Sequence, residues 1–280
     1  MHVRHCLAAL LLGSAAVPAS SQDAQSLIAK NLEARGGVTA LTAIKNITLE
    51  GRTIFPGDFE VTYKETHART AGGDTDRLDY GVQGLDIIQA YDGHSGWKVN
   101  PLQGRKDAET MSADEARALA DSALIEGPLL AASKNNSRVT YLGREDFDGT
   151  LAYKLKVVQP DGDEYVYWLD PDTYLEIKID ETRRIRGAQQ TTESELGDYE
   201  RVAGVYFPMS VESWAQGQSS QRTRTIIATG TANSAINDNY FMAPRSAGTP
   251  ATPTAPPDAP KKPNPAVKKA ATPTSPHKGK

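Results

Sequence analysis

The first periodic stretch of the chain is helical: Ala24, Leu27, Ile28 and Leu32 recur at three- and four-residue spacing, and Gly36-Gly37 supplies a stop. A second short helix is expected over residues 38–44. From Asn46 the period changes to two. Ile47, Leu49 and Gly51 alternate with Thr48, Glu50 and Arg52, as on a strand with one face buried. Further strands are expected over residues 59–66, 77–82, 85–91 and 96–100, the last two joined by the turn Asp92-Gly93-His94-Ser95-Gly96.

A helical interlude follows at Ser112-Ala113-Asp114-Glu115, where the serine and the glutamate three residues on form a capping-box signature. Gly127-Pro128 breaks it, and Leu129, Leu130, Ala131 and Ala132 predict another helical turn. Strand patterns then return over residues 138–143, 151–158, 165–169, 174–187, 190–201, 205–214 and 222–228. They are separated by Asp148-Gly149, Asp161-Gly162, Asp170-Pro171-Asp172 and Ala203-Gly204, which are hairpin-turn residues. So many strands in sequence, with so few helices, predict a mainly β, α+β fold: a curved antiparallel sheet forming a half-open β-barrel covered by helices. Leu175, Ile177 and Ile179 alternate with Glu176, Lys178 and Asp180, so one face is expected to be apolar. The helices look too few to cover it completely, which predicts an apolar cavity.

The ends of the chain change the picture. Arg4, an apolar run from Leu7 to Val17 and small residues before Gln22 read as a cleavable export signal over residues 1–21, with cleavage expected after Ser21 or, second, after Ala19. The single cysteine, Cys6, lies inside that signal, so the expected mature chain has neither a disulfide nor a thiolate site. Residues 246–280 are rich in Pro, Ala, Thr, Ser and Lys and are expected to be a disordered tail. Lys261, Lys262, Lys268, Lys269, Lys278 and Lys280 outweigh Asp258 there, so the body over residues 22–245 is more acidic than the chain's net charge of −4. An acidic body argues against nucleic acid as a partner.

No catalytic constellation emerges. His67 and His94 lie at no paired spacing, so no metal site is expected. Gly93-His94-Ser95-Gly96 fails the nucleophile-elbow spacing because Trp97 stands where the last glycine belongs. Asp161, Asp163, Asp170, Asp172 and Glu176 read as turn residues rather than a calcium loop or a glycosidase pair. Neither a phosphate-binding loop nor a dinucleotide fingerprint is present, and the expectation is a protein that is not an enzyme and carries no cofactor.

The run from Tyr91 through Asp92, Gly93, Trp97 and Asn100 to Pro101 resembles the DGxxxWxxNP hairpin of the LolA-like family of periplasmic lipoprotein carriers. Leu169-Asp170-Pro171-Asp172-Thr173-Tyr174-Leu175 and Gly204-Val205-Tyr206-Phe207-Pro208 are similar to shorter elements of that family. The resemblance implies a monomeric periplasmic carrier whose cavity accepts the acyl chains of lipoproteins or lipids, handed on between inner- and outer-membrane transfer proteins. The alternative it leaves open is a sensor of the same fold that binds lipid or lipoprotein and signals to a membrane partner. Cavity-lining residues are then expected among Trp97, Val99, Leu129, Leu130, Tyr165, Tyr167, Leu175, Ile177 and Ile179. The resemblance also suggests Arg52 as the basic residue on an early strand that latches the lid helices.

Overall fold

The computed structural model describes residues 19–237 and 239–244; all but the last three residues of the export signal expected over 1–21, and the whole tail expected over 246–280, lie outside them. Helix α1 (Ala19–Arg35) and helix α2 (Gly37–Ala43) open the chain. Six strands follow as a meander: β1 (Asn46–Phe55), β2 (Phe59–Thr70), β3 (Gly73–Val82), β4 (Leu85–Tyr91), β5 (Gly96–Asn100) and β6 (Arg105–Thr110). Then come α3 (Ala113–Ser122) and α4 (Gly127–Ala131). The second wing is β7 (Arg138–Phe147), β8 (Thr150–Val158), β9 (Glu164–Leu169), β10 (Glu176–Ile185), β11 (Ala188–Gly197), β12 (Glu200–Val202), β13 (Val205–Phe207), β14 (Ser210–Ala215) and β15 (Thr223–Ala232).

Thirteen strands form one curved antiparallel sheet in the order β6-β5-β4-β3-β2-β1-β15-β14-β11-β10-β9-β8-β7. The order is linear, so β6 and β7 remain edges and the sheet does not close into a barrel. The expected mainly β, half-open architecture is thus observed, but its seam was not visible in the sequence. Strand β15 crosses back to pair with β1, and Gly51 makes room for it: a Cβ there would stand 2.0 Å from the Ile226 carbonyl oxygen, where the β1–β15 register shifts.

Three expectations need correcting. Residues 105–110 form a strand, although their charged composition hid it. The single strands expected over 190–201 and 205–214 are each two, because the chain turns at Asp198, in a left-handed conformation, and again before Met209. The excised pieces β12 and β13 pair with each other as a separate hairpin. That hairpin seats against the helices, where Gly36, at φ 124°, lets the α1–α2 turn approach the Gly204 carbonyl so closely that a Cβ would stand 2.3 Å from it.

The helices cover one face of the sheet, the inner face, and two core clusters form beneath them. Under α2 and the β12–β13 hairpin lie Leu41, Ile44, Ile47, Leu49, Val205 and Phe207, with Ile125 from the α3–α4 connection. Under α1 and α4, Ala24, Leu27 and Leu129 pack on Leu155, Val157 and Tyr167. Among the described residues no helix is long and apolar enough to cross a membrane.

Candidate functional site

Register decides which side chains share the inner face. Tyr165 and Tyr167 of β9 stand opposite Glu181 and Ile179 of β10, and Ile179 stands opposite Ser194 of β11, whose neighbour Leu196 pairs with Val211 of β14. Helices α3 and α4 roof this patch with Asp121, Ser122 and Pro128, leaving a hollow of about 210 Å³. The walls are apolar or aromatic: Tyr165, Tyr167, Ile179, Leu196, Val211 and Pro128. One end is closed by charge.

At that end Arg183 donates to Asp121 Oδ2 at 2.8 Å, to Asp163 Oδ2 at 2.9 Å and to the Tyr165 hydroxyl at 2.5 Å, and it also touches Glu181. Tyr165 in turn donates to Asp121 at 2.8 Å. Arg117 of α3 reaches the same Asp163 at 3.0 Å. Burial, reinforced by the Glu181 charge, pushes the Tyr165 phenol far above its ordinary range, so it stays a donor. The network fastens α3 to the sheet beside an apolar hollow.

Further fasteners hold the other helices. Arg35 of α1 donates to the Tyr206 carbonyl at 2.8 Å and pairs with the buried Glu176 at 3.3 Å. Asn31 donates to the Tyr174 carbonyl at 2.9 Å. Arg69 at the end of β2 donates to the Leu41 and Ile44 carbonyls, closing the C-terminus of α2, and pairs with Glu126 just before α4. Lys98 of β5 meets Glu115 of α3 at 2.6 Å.

The structure gathers some of the expected lining residues and separates others. Tyr165, Tyr167 and Ile179 line the hollow, and Leu129 is buried in the adjoining cluster. Leu130 packs half-buried against the other cluster. The 175–179 alternation is broken: a register shift between Glu176 and Lys178 puts Glu176 opposite Leu169 and Ile179 opposite Tyr167. Glu176, rather than Ile177 and Leu175, therefore shares the inner face with Ile179, and its carboxylate is held there by Arg35. Leu175 sits at the end of the Asp170 turn and, like Ile177, is half-buried.

Trp97 and Val99 lie on the opposite face. Trp97 pairs with Ala90, which pairs with Arg77, whereas the inner face of that wing carries Tyr63, Leu78 and Tyr80. The indole is 4% exposed and donates to the Phe241 carbonyl at 2.7 Å. Residues 239–244 lie over it on the outer face, where Arg77, Ile88, Trp97 and Met242 border a hollow of about 690 Å³. Arg52 is also on the outer face, half-exposed and 3.6 Å from Glu60, far in register from any lid contact. Side-chain bonds to α2 and to Glu126 before α4 come instead from Arg69.

Sequence spacing also missed a buried polar cluster on the inner face. Glu65 and His67 are two apart on β2 and thus project to the same side, and Asp76 of β3 is directly opposite His67. His67 Nε2 lies 3.6 Å from Glu65 and Nδ1 lies 3.2 Å from Asp76, while the Tyr63 hydroxyl donates to Glu65. Burial works to lower the imidazole, but the Glu65 and Asp76 charges override it and raise His67 to about 9. Burial and the neighbouring Glu65 push the Asp76 carboxyl up to about 8. The signal that could have found this cluster is the β2–β3 hairpin register.

No family model matches the sequence, and no curated protein matches it. Solved structures do. The fold is that of LolA-like lipoprotein-sorting domains. A Vibrio parahaemolyticus domain classed as an outer membrane lipoprotein-sorting protein superposes with a TM-score of 0.54 at 15% identity, over 78% of this chain and 97% of its own. A DUF1329 family protein from Desulfovibrio piger gives 0.55 at 11% identity, over 78% and 96%. A LolA superfamily protein from Nitrosomonas europaea gives 0.52 at 13% identity, again over 78% and 96%.

Proposed function

We propose that the chain is a periplasmic carrier that shelters the acyl chains of lipoproteins or similar amphiphiles between the inner face of its sheet and the α3–α4 roof. The observation that carries this reading is the hollow walled by Tyr165, Tyr167, Ile179, Leu196 and Val211, under a roof that polar bonds from Arg183 and Arg69 tie down beside the buried Ile125 and Leu129. Its 210 Å³ is below the roughly 300–1,000 Å³ of a typical small-molecule site. An acyl chain therefore enters only as α3 and α4 lift, exchanging the Arg183 and Arg69 contacts for buried methylenes at about 0.8 kcal/mol each. Binding that balances the latch energy is reversible, as hand-over requires, and needs no catalytic group. The export signal expected over residues 1–21 supports that compartment.

The test is retention of amphiphile. Protein purified from a bacterial envelope is extracted and the extract analysed by mass spectrometry for fatty acids and acylated peptides, and a fluorescent fatty acid is titrated in parallel. Ile179→Trp, which fills the hollow, is expected to abolish fatty-acid binding while the fold persists by circular dichroism. Absence of co-purified amphiphile together with no saturable fatty-acid binding would overturn the reading.

A further inference from the structure

The geometry points to a divalent-cation site formed by Glu65, His67 and Asp76, suited to a first-row ion of the Zn²⁺ class. One donor atom from each residue comes together within 4.8 Å, on one side of the β2–β3 hairpin. Asp76 is 0% exposed, and neither of its carboxylate oxygens receives a hydrogen bond. His67 Nδ1 is likewise unpaired: it stands 3.2 Å from Asp76 Oδ1 without the N–H···O alignment of a hydrogen bond. Buried polar atoms are rarely left this way in folded proteins. An unpartnered buried carboxylate beside an unpartnered imidazole nitrogen, with Glu65 within 4.8 Å, is what a divalent positive centre would satisfy.

The chemistry selects the ion. One imidazole and two carboxylates suit zinc and its first-row neighbours, whereas calcium takes six to eight oxygens and magnesium keeps several waters. Metal–ligand distances of about 2.0–2.2 Å give a tetrahedral ligand–ligand edge of roughly 3.4 Å. The 3.2 Å from His67 Nδ1 to Asp76 already matches that edge; Glu65, whose 3.6 Å contact is with the other ring nitrogen, Nε2, has to swing to the Nδ1 side, within the 4.8 Å that the three donor atoms span. In the deprotonated form that metal binding requires, with the displaced protons released, two carboxylates and a neutral imidazole carry a net −2, which a divalent ion cancels in a buried place. Glu65 is steadied by the Tyr63 hydroxyl, the outer-shell support that metal-bound carboxylates ordinarily have. The Ser122 carbonyl at the end of α3 lies beside the imidazole, so the ion would sit where the roof meets the sheet.

This inference does not depend on the carrier reading, since its readouts involve no amphiphile. The full chain is stripped with a chelator and titrated calorimetrically with Zn²⁺, and with Co²⁺ followed by visible absorption. The expected result is one ion per chain, a dissociation constant below about 1 µM, and Co²⁺ d–d bands. Asp76→Asn and His67→Gln should each weaken binding by more than about 100-fold with circular dichroism unchanged. Lack of a stoichiometric Zn²⁺ site, or equal binding by both variants, overturns the proposal and leaves an imidazolium held between two carboxylates. If the variants do not fold, X-ray absorption on the zinc-loaded wild type decides: a shell with one imidazole and oxygen ligands supports the site, and a shell with no imidazole overturns it.

Discussion

The Arg69 guanidinium meets the Glu126 carboxylate at 2.5 Å, and this one contact joins the end of strand β2 to the connection between α3 and α4. The same side chain caps α2 through the Leu41 carbonyl at 2.9 Å, so a single residue ties down two helical elements. Burial opposes the Glu126 charge, but the Arg69 hydrogen bond overrides it and holds the carboxyl below its ordinary value.

Arg69→Met is therefore expected to lower stability by about 2 kcal/mol, the loss of charge-assisted hydrogen bonds at a partly buried site, and to speed fatty-acid uptake. Urea unfolding and stopped-flow fluorescence check the two effects. Arg52→Ala, which removes an exposed outer-face pair, should change stability by no more than about 0.5 kcal/mol and leave uptake unaltered.

Trp97→Phe separates the two faces. It removes the indole hydrogen bond and strands the Phe241 carbonyl, at an expected cost of about 1–2 kcal/mol in urea unfolding. Fatty-acid affinity should stay within twofold of wild type, because the inner hollow lies across the sheet. A tenfold loss would move the ligand to the outer face beside Met242.

Leu129→Ala tests the roof from within. Leu129 is fully buried between α4 and the tyrosines of β9, and its truncation is expected to destabilise by about 2–5 kcal/mol, depending on how far α4 settles. Fatty-acid affinity should rise, since the void adjoins the hollow. Combined unfolding and titration measurements distinguish this from simple loss of fold.

A pH dependence is expected at the start of α3. Bonds from Lys98 and from both the backbone and the hydroxyl of Ser112 hold Glu115 at about 2, against an ordinary value of 4.5. A depressed folded-state value means the contribution is complete above about pH 4.5 and is lost as the pH falls towards 2. Thermal unfolding between pH 6 and pH 2 should show this loss in the wild type. Glu115→Gln, which keeps the capping geometry but not the charge, should flatten that part of the profile.

Local pattern revealed most of the elements because turn residues such as Asp148-Gly149 and the Ser112–Glu115 box act through their immediate neighbours. What escaped was set by distant partners. The β1–β15 seam joins residues some 180 positions apart, as in the pairing of Ile47 with Ala232. On α1 the buried stripe runs Ala24, Leu27, Asn31, Arg35, and the last two look like solvent residues until Tyr174, Tyr206 and Glu176 are brought to them. The alternation at Leu175, Ile177 and Ile179 misled because one irregular residue in β10 reverses which side chains face the helices. Trp97 misled because large aromatic residues here serve both faces: Trp168 is packed under Lys154 and Lys178, and Trp214 under Arg222, both on the outer face.

Leaving the sheet unclosed has a cost in colloidal safety, since the rims β6 and β7 offer unpaired backbone groups to any extended chain that drifts past. Both rims are studded with charge: Arg105, Lys106, Asp107 and Glu109 on one, Arg138, Arg144, Glu145 and Asp146 on the other. Mixed ionic fringes of this kind discourage strand-by-strand polymerisation. An unclosed sheet can thus carry two open rims without inviting strand-by-strand growth on either.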